Sequence, residues 1–125
     1  MSESNAVGVN YTRLFTGADG QSHFSDEVVV LSDVGSIGSI SDVWPVTGME
    51  FRQVAGGYDL GWHTAPRRQL VITLTGTVEL EVESGEARLF GPGSLVLAED
   101  RTGKGHISRN TDGSMRQCIF VHLAD

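Results

Sequence analysis

Gly57-Tyr-Asp-Leu-Gly-Trp-His63-Thr-Ala-Pro-Arg-Arg-Gln69-Leu-Val-Ile-Thr-Leu-Thr-Gly76-Thr-Val78-Glu-Leu-Glu-Val-Glu83 is the stretch whose reading decides the fold class. Val78–Glu83 alternates apolar and acidic residues without a break. Side chains on a strand point to opposite faces in turn, so this alternation is a strand with one face in a core and one in solvent. Gln69–Thr75 is apolar and β-branched on both parities, which is a strand covered on both sides. Gly76 between them marks a tight turn. Pro66 lacks a donor and breaks pairing between the Tyr58–His63 strand and the next.

Working outward, the same pattern continues in both directions. Downstream lie strands at Ala87–Phe90, Ser94–Ala98, His106–Asn110 and Met115–Leu123, separated by Gly91-Pro92-Gly93, a polar loop at 99–105 and Asn110-Thr-Asp-Gly113. Upstream lie strands at Tyr11–Phe15, Ser22–Leu31 and Met49–Val54. Ser32–Ser41 is rich in Gly and Ser, but its spacing is not that of a phosphate-binding loop and no helical pattern follows, so it reads as a surface loop. No segment carries a 3.6-residue amphipathic period. About ten short strands with regular turns predict an all-β sandwich or barrel.

Composition sets limits on function. At 125 residues, with 39% hydrophobic and 20% charged residues, the chain has the size and balance of one globular domain. We place a disordered tail at residues 1–10 and the domain at 11–125. The net charge of −7 excludes the basic stripe that a nucleic-acid or anionic-membrane surface needs. The single cysteine, Cys118, permits no internal disulfide. Met1-Ser-Glu-Ser-Asn lacks the basic and apolar regions of a signal peptide, and nothing approaches the length of a membrane span. The expected compartment is therefore cytoplasmic.

Two sets of residues in this stretch resemble the paired motifs of the cupin superfamily. Gly57, His63, Gln69 and Gly76 fall at the positions of its first motif, with Ala65 in place of the second His and Gln69 in place of the Glu. Pro92-Gly93, His106 and Asn110 resemble the second motif, with a longer gap before the His. The segments Ala65-Pro-Arg-Arg-Gln69 and Gly103-Lys-Gly-His106 are similar to those of small bacterial cupins without an assigned activity. The resemblance implies a double-stranded β-helix, the jelly-roll barrel, and a homodimer. It also implies that His63 and His106 converge inside the barrel.

Cupin sites of this kind hold Fe, Mn, Ni or Zn with three His and one Glu. By resemblance, the metal ligands here are His63, Gln69 and His106, and His63 and His106 are also the catalytic candidates. Gln69 keeps a carbonyl oxygen but not the charge, so open positions are left for water or substrate. Glu99 or Asp100 is a candidate replacement carboxylate, if the 99–105 loop folds inward. That loop has charges of both signs and two glycines, which suits a lid.

For substrate binding, Arg67 shares parity with His63 and Gln69 and offers a fork to an anion. Tyr58, Trp62 and Phe90 are candidates to line an apolar pocket. Cys118 and His122 border it if their face of the last strand looks inward, and Ile119 and Val121 do otherwise. His23 reads as a hydrogen-bonded surface residue.

Three functions remain open on these residues. The first is a metal-assisted isomerisation, elimination or oxygenation of a small polar, anionic metabolite. The second is metal-free acid–base catalysis by histidine. The third is a ligand-binding or structural protein without catalysis.

Overall fold

A computed structural model describes residues 8–125. Twelve strands are described: β1 (Gly8–Thr16), β2 (Ser22–Val30), β3 (Ser32–Asp33), β4 (Ser39–Ile40), β5 (Val46–Val54), β6 (Asp59–His63), β7 (Gln69–Thr75), β8 (Val78–Glu81), β9 (Ala87–Phe90), β10 (Leu95–Ala98), β11 (His106–Asn110) and β12 (Arg116–Leu123). They form a six-stranded sheet in the order β2-β1-β10-β7-β12-β5, a four-stranded sheet in the order β6-β11-β8-β9, and the small pair β3-β4. The two larger sheets face each other as an all-β jelly roll, as predicted. Among the described residues no helix is long and apolar enough to cross a membrane.

The alternation on β8 has the expected outcome. Val78, Leu80 and the following Val82 are buried with Phe90, Leu14 and Val96 in one cluster drawn from both sheets. Glu79 and Glu81 face outward and share Arg109, opposite on β11, at 2.6 and 3.1 Å. Thus one parity builds the core and the other builds a surface ion pair.

Three expectations change. Gly8, Val9 and Asn10 are not tail: they pair with Val30, Val29 and Val28 in the β1–β2 hairpin. Residues 1–7 of the expected tail lie outside the described residues. The Ser32–Ser41 loop carries the β3–β4 pair around a short 3-10 turn at Gly35–Ile37. The 99–105 loop is strapped down rather than poised as a lid. Glu99 receives Arg13 and Arg68, each at 2.6 Å, while Asp100 has no solvent exposure.

The outer face of β7 is apolar, as read, and the segment around Ile40–Trp44 covers part of it. An open apolar groove of ≈ 560 Å³ remains there, lined by Leu70, Val121 and Trp44 among others. Phe51, Met49 and Val43 beyond or beside it are exposed.

Candidate functional site

The two imidazoles come together because β6 ends where β11 begins. His63 and His106 are register partners in the β6–β11 ladder, with a bulge directly after His106. Gly105 makes the approach possible. Its φ is +79°, and a Cβ there would collide with the His63 carbonyl. The ring centroids lie 4.4 Å apart at an interplanar angle of 56°.

Each ring is held by its Nδ1. His63 Nδ1–H donates to the Gly61 carbonyl at 2.7 Å, and since a carbonyl only accepts, the proton must sit on Nδ1. His106 Nδ1–H donates to Asp100 Oδ2 at 2.6 Å, and the same carboxylate oxygen accepts from Ser22 Oγ at 2.7 Å. Neither Nε2 atom has a hydrogen-bond partner among the described residues. A backbone carbonyl or carboxylate on the far nitrogen is the arrangement that orients a metal-binding or base imidazole. Burial pushes the His63 proton affinity below its usual value; the Gly61 bond and Asp100 offset this in part, and His106 adds to it. His63 is therefore neutral near pH 7.

Both rings line a cavity of ≈ 270 Å³ between the sheets. Gln69 lines it too; it is 5% exposed, and its buried Oε1 has no hydrogen-bond partner among the described residues. An orphaned acceptor is uncommon in a folded interior and calls for a ligand or water. Farther along, Tyr58 Oη and Ser108 Oγ lie 3.1 Å apart. Arg116, 4% exposed, lies at the other end of β11, with its Nε donating to Asn110 Oδ1 at 3.0 Å. Arg52 stacks on Phe120 at 3.8 Å while its Nη2 pairs with Glu50 at 2.7 Å. Between these groups the wall is apolar, from Val71, Val78, Phe90 and Val96.

Of the residues singled out in the sequence, His63, His106, Gln69, Tyr58 and Phe90 line this cavity. Trp62, Arg67, Cys118 and His122 do not. Trp62 has the opposite parity to His63, so it points out, where Lys104 Nζ lies 4.4 Å from its ring. Arg67 is turned away at the Pro66 corner, where Thr64, Ala65 and Pro66 all line the cavity and parity no longer holds. Its Nη1 lies 3.4 Å from His122 Nε2, and His122 faces Glu50 at 3.6 Å. Cys118 is on the inner parity of β12 but is 1% exposed, closed in where Arg116 Nη1 reaches its Sγ at 3.5 Å. Burial pushes its thiol pKa up, against the pull of Arg116 and Arg52, which removes the thiolate a nucleophile needs. Glu99 points away to its two arginines, and Asp100 sits behind His106 rather than in the cavity. His23 is a surface residue bonded to Asp19 at 2.9 Å, as read.

Arg116 and Ser108 were not foreseen as site residues. The signal for Arg116 was its shared parity with Cys118 and Phe120: a lone cation on the inward face of a strand.

Among the described residues no three His, Cys, Asp or Glu side chains cluster at metal-holding distance. The donor set on offer is two imidazole nitrogens and one amide oxygen. That set suits a divalent ion with open positions, though without the carboxylate that strengthens such sites.

No protein-family model matches the chain, and no curated protein matches it. Among solved structures it is similar to the cupin domain of Cnp3 from Schizosaccharomyces pombe. The TM-score is 0.53 at 11% identity, over 94% of this chain and 84% of that one. It also matches a conserved protein of unknown function, SPY1581 from Streptococcus pyogenes (TM-score 0.49, 16% identity, 69% of this chain and 70% of that one). A third match is NMB1881 from Neisseria meningitidis (TM-score 0.49, 14% identity, 66% and 84%). The Cnp3 likeness shows the fold: the chain has the cupin-like barrel that its motifs resemble. It carries no activity with it.

Proposed function

We propose that this cupin-like protein binds a small polar, anionic metabolite in its barrel cavity, with a divalent ion held by His63, His106 and Gln69. The carrying observation is the pair of imidazoles with both Nδ1 atoms tied down and both Nε2 atoms bare. The buried, unpartnered Gln69 Oε1 supports it, because it is a third oxygen or nitrogen donor lacking a partner in the same cavity. A bound ion of the Fe, Mn, Ni or Zn class would act as a Lewis acid on a carbonyl or enolate, in an isomerisation, elimination or oxygenation. The chain's own residues orient and exclude. Asp100 holds the His106 proton on Nδ1, Gly61 holds that of His63, and the apolar walls keep bulk water away.

A second reading has its own support. Asp100 is turned behind His106, so no carboxylate faces the histidine pair among the described residues. This favours a metal-free protein that binds its ligand without catalysis, through the same bare nitrogens.

The deciding experiment is elemental analysis of untagged protein purified without chelator, beside His63→Ala. The metal reading expects one Fe, Mn, Ni or Zn per chain, lost in the variant with the fold intact. An empty protein whose melting temperature is unmoved by adding any of the four ions discards it in favour of the second reading.

We also propose that the chain pairs as a homodimer across the outer face of the six-stranded sheet. The support is the open apolar groove with exposed Val43, Met49 and Phe51 beside it, an apolar surface of the kind that suits an interaction site. Sedimentation equilibrium checks this: Phe51→Asp should shift dimer to monomer, and a wild-type monomer at high concentration refutes it.

A further inference from the structure

Arg13, Arg52, Arg68, Arg88, Arg101 and Arg109 each reach a carboxylate, and all are partly exposed. Arg116 reaches none among the described residues, yet it is the one that is 4% exposed. This inverts the ordinary economy of burial. A guanidinium is always charged, and an enclosed charge without a counter-charge is costly. Its neighbours satisfy it as a donor only in part. Nε has Asn110 Oδ1 at 3.0 Å and Nη1 has the weak acceptor Cys118 Sγ at 3.5 Å, while Nη2 makes no hydrogen bond among the described residues. The ring of Tyr58 lies 5.8 Å from its Cζ, a loose cation–π contact at most. The position is also built. Gly76, at φ +79°, brings its backbone so close that a Cβ there would lie 3.0 Å from Arg116 Cα.

The cavity gives the shape of what would compensate this charge. Arg116 and the histidine pair mark opposite ends: His106 begins β11 and Asn110, the Arg116 partner, ends it. At ~3.3 Å per strand residue these ends are roughly 13 Å apart. The wall between them is mostly apolar, with Val71, Val78, Phe90 and Phe120. A volume of ≈ 270 Å³ holds about nine groups the size of a water molecule.

We infer that the cavity takes an amphipathic monocarboxylic acid. Its carboxylate sits on Arg116, its apolar body lies against Phe90 and Phe120, and its far end reaches His63 and His106. A planar carboxylate matches the guanidinium fork, and one negative charge matches the one uncompensated positive charge. A phosphate dianion would bring surplus charge into an apolar enclosure. This rests on the proposed small-anion function and names its ligand class and the residue that selects it.

The test titrates the protein with benzoate, phenylacetate and hexanoate, with their primary amides, and with inorganic phosphate, followed by amide NMR shifts. The acids should bind at least about tenfold more tightly than the amides, as expected for a hydrogen bond to a charged group. Shifts should fall on Arg116, Tyr58 and Phe120. Arg116→Gln should abolish the preference. Should that variant fail to fold, Asn110→Asp keeps the guanidinium and places a carboxylate beside its Nε. It should lower acid affinity about tenfold or more while leaving amide affinity within about threefold. Acids and amides binding alike, or acid affinity surviving Asn110→Asp, overturns the inference. Phosphate binding in place of the acids also overturns it, yet leaves the broader anion-binding function standing. Metal uptake dependent on His63 is scored separately and does not depend on any of these outcomes.

Discussion

The two ends of the cavity handle charge in opposite ways. At the His106 end the buried carboxylate of Asp100 takes hydrogen bonds from His106 and Ser22 on Oδ2, so the protein supplies partners for that oxygen, while Oδ1 has none among the described residues. At the Arg116 end a buried cation is left with a neutral amide and a thiol. Both ends lie on β11 and share one cavity, so depth and access do not distinguish them. The difference lies in which polar partners each charged group meets within the protein. The Asp100 contacts orient His106 toward the cavity, whereas Arg116 meets no carboxylate of the protein among the described residues.

The comparison breaks most visibly at Asp100. Asp100→Ala removes the acceptor of two buried hydrogen bonds, one from an imidazole, and should cost about 3–5 kcal/mol in urea unfolding. A loss below about 1 kcal/mol would mean that the His106 end is not held as described. Arg116→Met is the opposite case. It removes a buried charge that has no protein counter-charge and keeps much of the bulk. Stability should stay level or rise by about 1 kcal/mol, at the expense of acid binding. A fall of more than about 1 kcal/mol would assign Arg116 to the framework instead. The smallest effect is on pH dependence. Burial lowers the His63 pKa in the folded protein below the unfolded value of about 6.5. Below that pH the unfolded chain binds a proton that the folded chain resists, so stability is full above about pH 6.5 and declines as pH falls toward the depressed folded value. Melting temperatures taken from about pH 7.5 down to about pH 5 should fall less steeply for His63→Gln than for wild type. Identical slopes would remove His63 as the titrating group.

Much of this was legible in the chain. The alternation of Val78–Glu83 and the turn glycines gave the strands, and the resemblance to the cupin motifs pointed to His63, Gln69 and His106, which line one cavity. What was not legible depended on events at corners. Parity carries a face along a strand only while pairing continues, and Pro66 interrupts it, so Arg67 left the face that His63 and Gln69 share. Trp62, expected to line the pocket, has the opposite parity to His63 and so lies outside it beside Lys104. Asp100 was seen as a carboxylate near the site, but not as the group behind His106. Its role depends on Ser22 arriving from β2, a contact that no local pattern can announce.

That contact has a kinetic consequence. Ser22 and Asp100 are 78 residues apart, and the β1–β2 hairpin joins the sheet through the parallel pairing of Thr12–Leu14 with Val96–Ala98. Closing so long a loop costs entropy before it returns any contact, so such pairings form late. Until the hairpin docks, Asp100 lacks one of its two hydrogen-bond donors and its cover. The orientation of His106 by Asp100 thus waits on a long-range closure, and the histidine pair is held as described only once the first and last thirds of the chain have met.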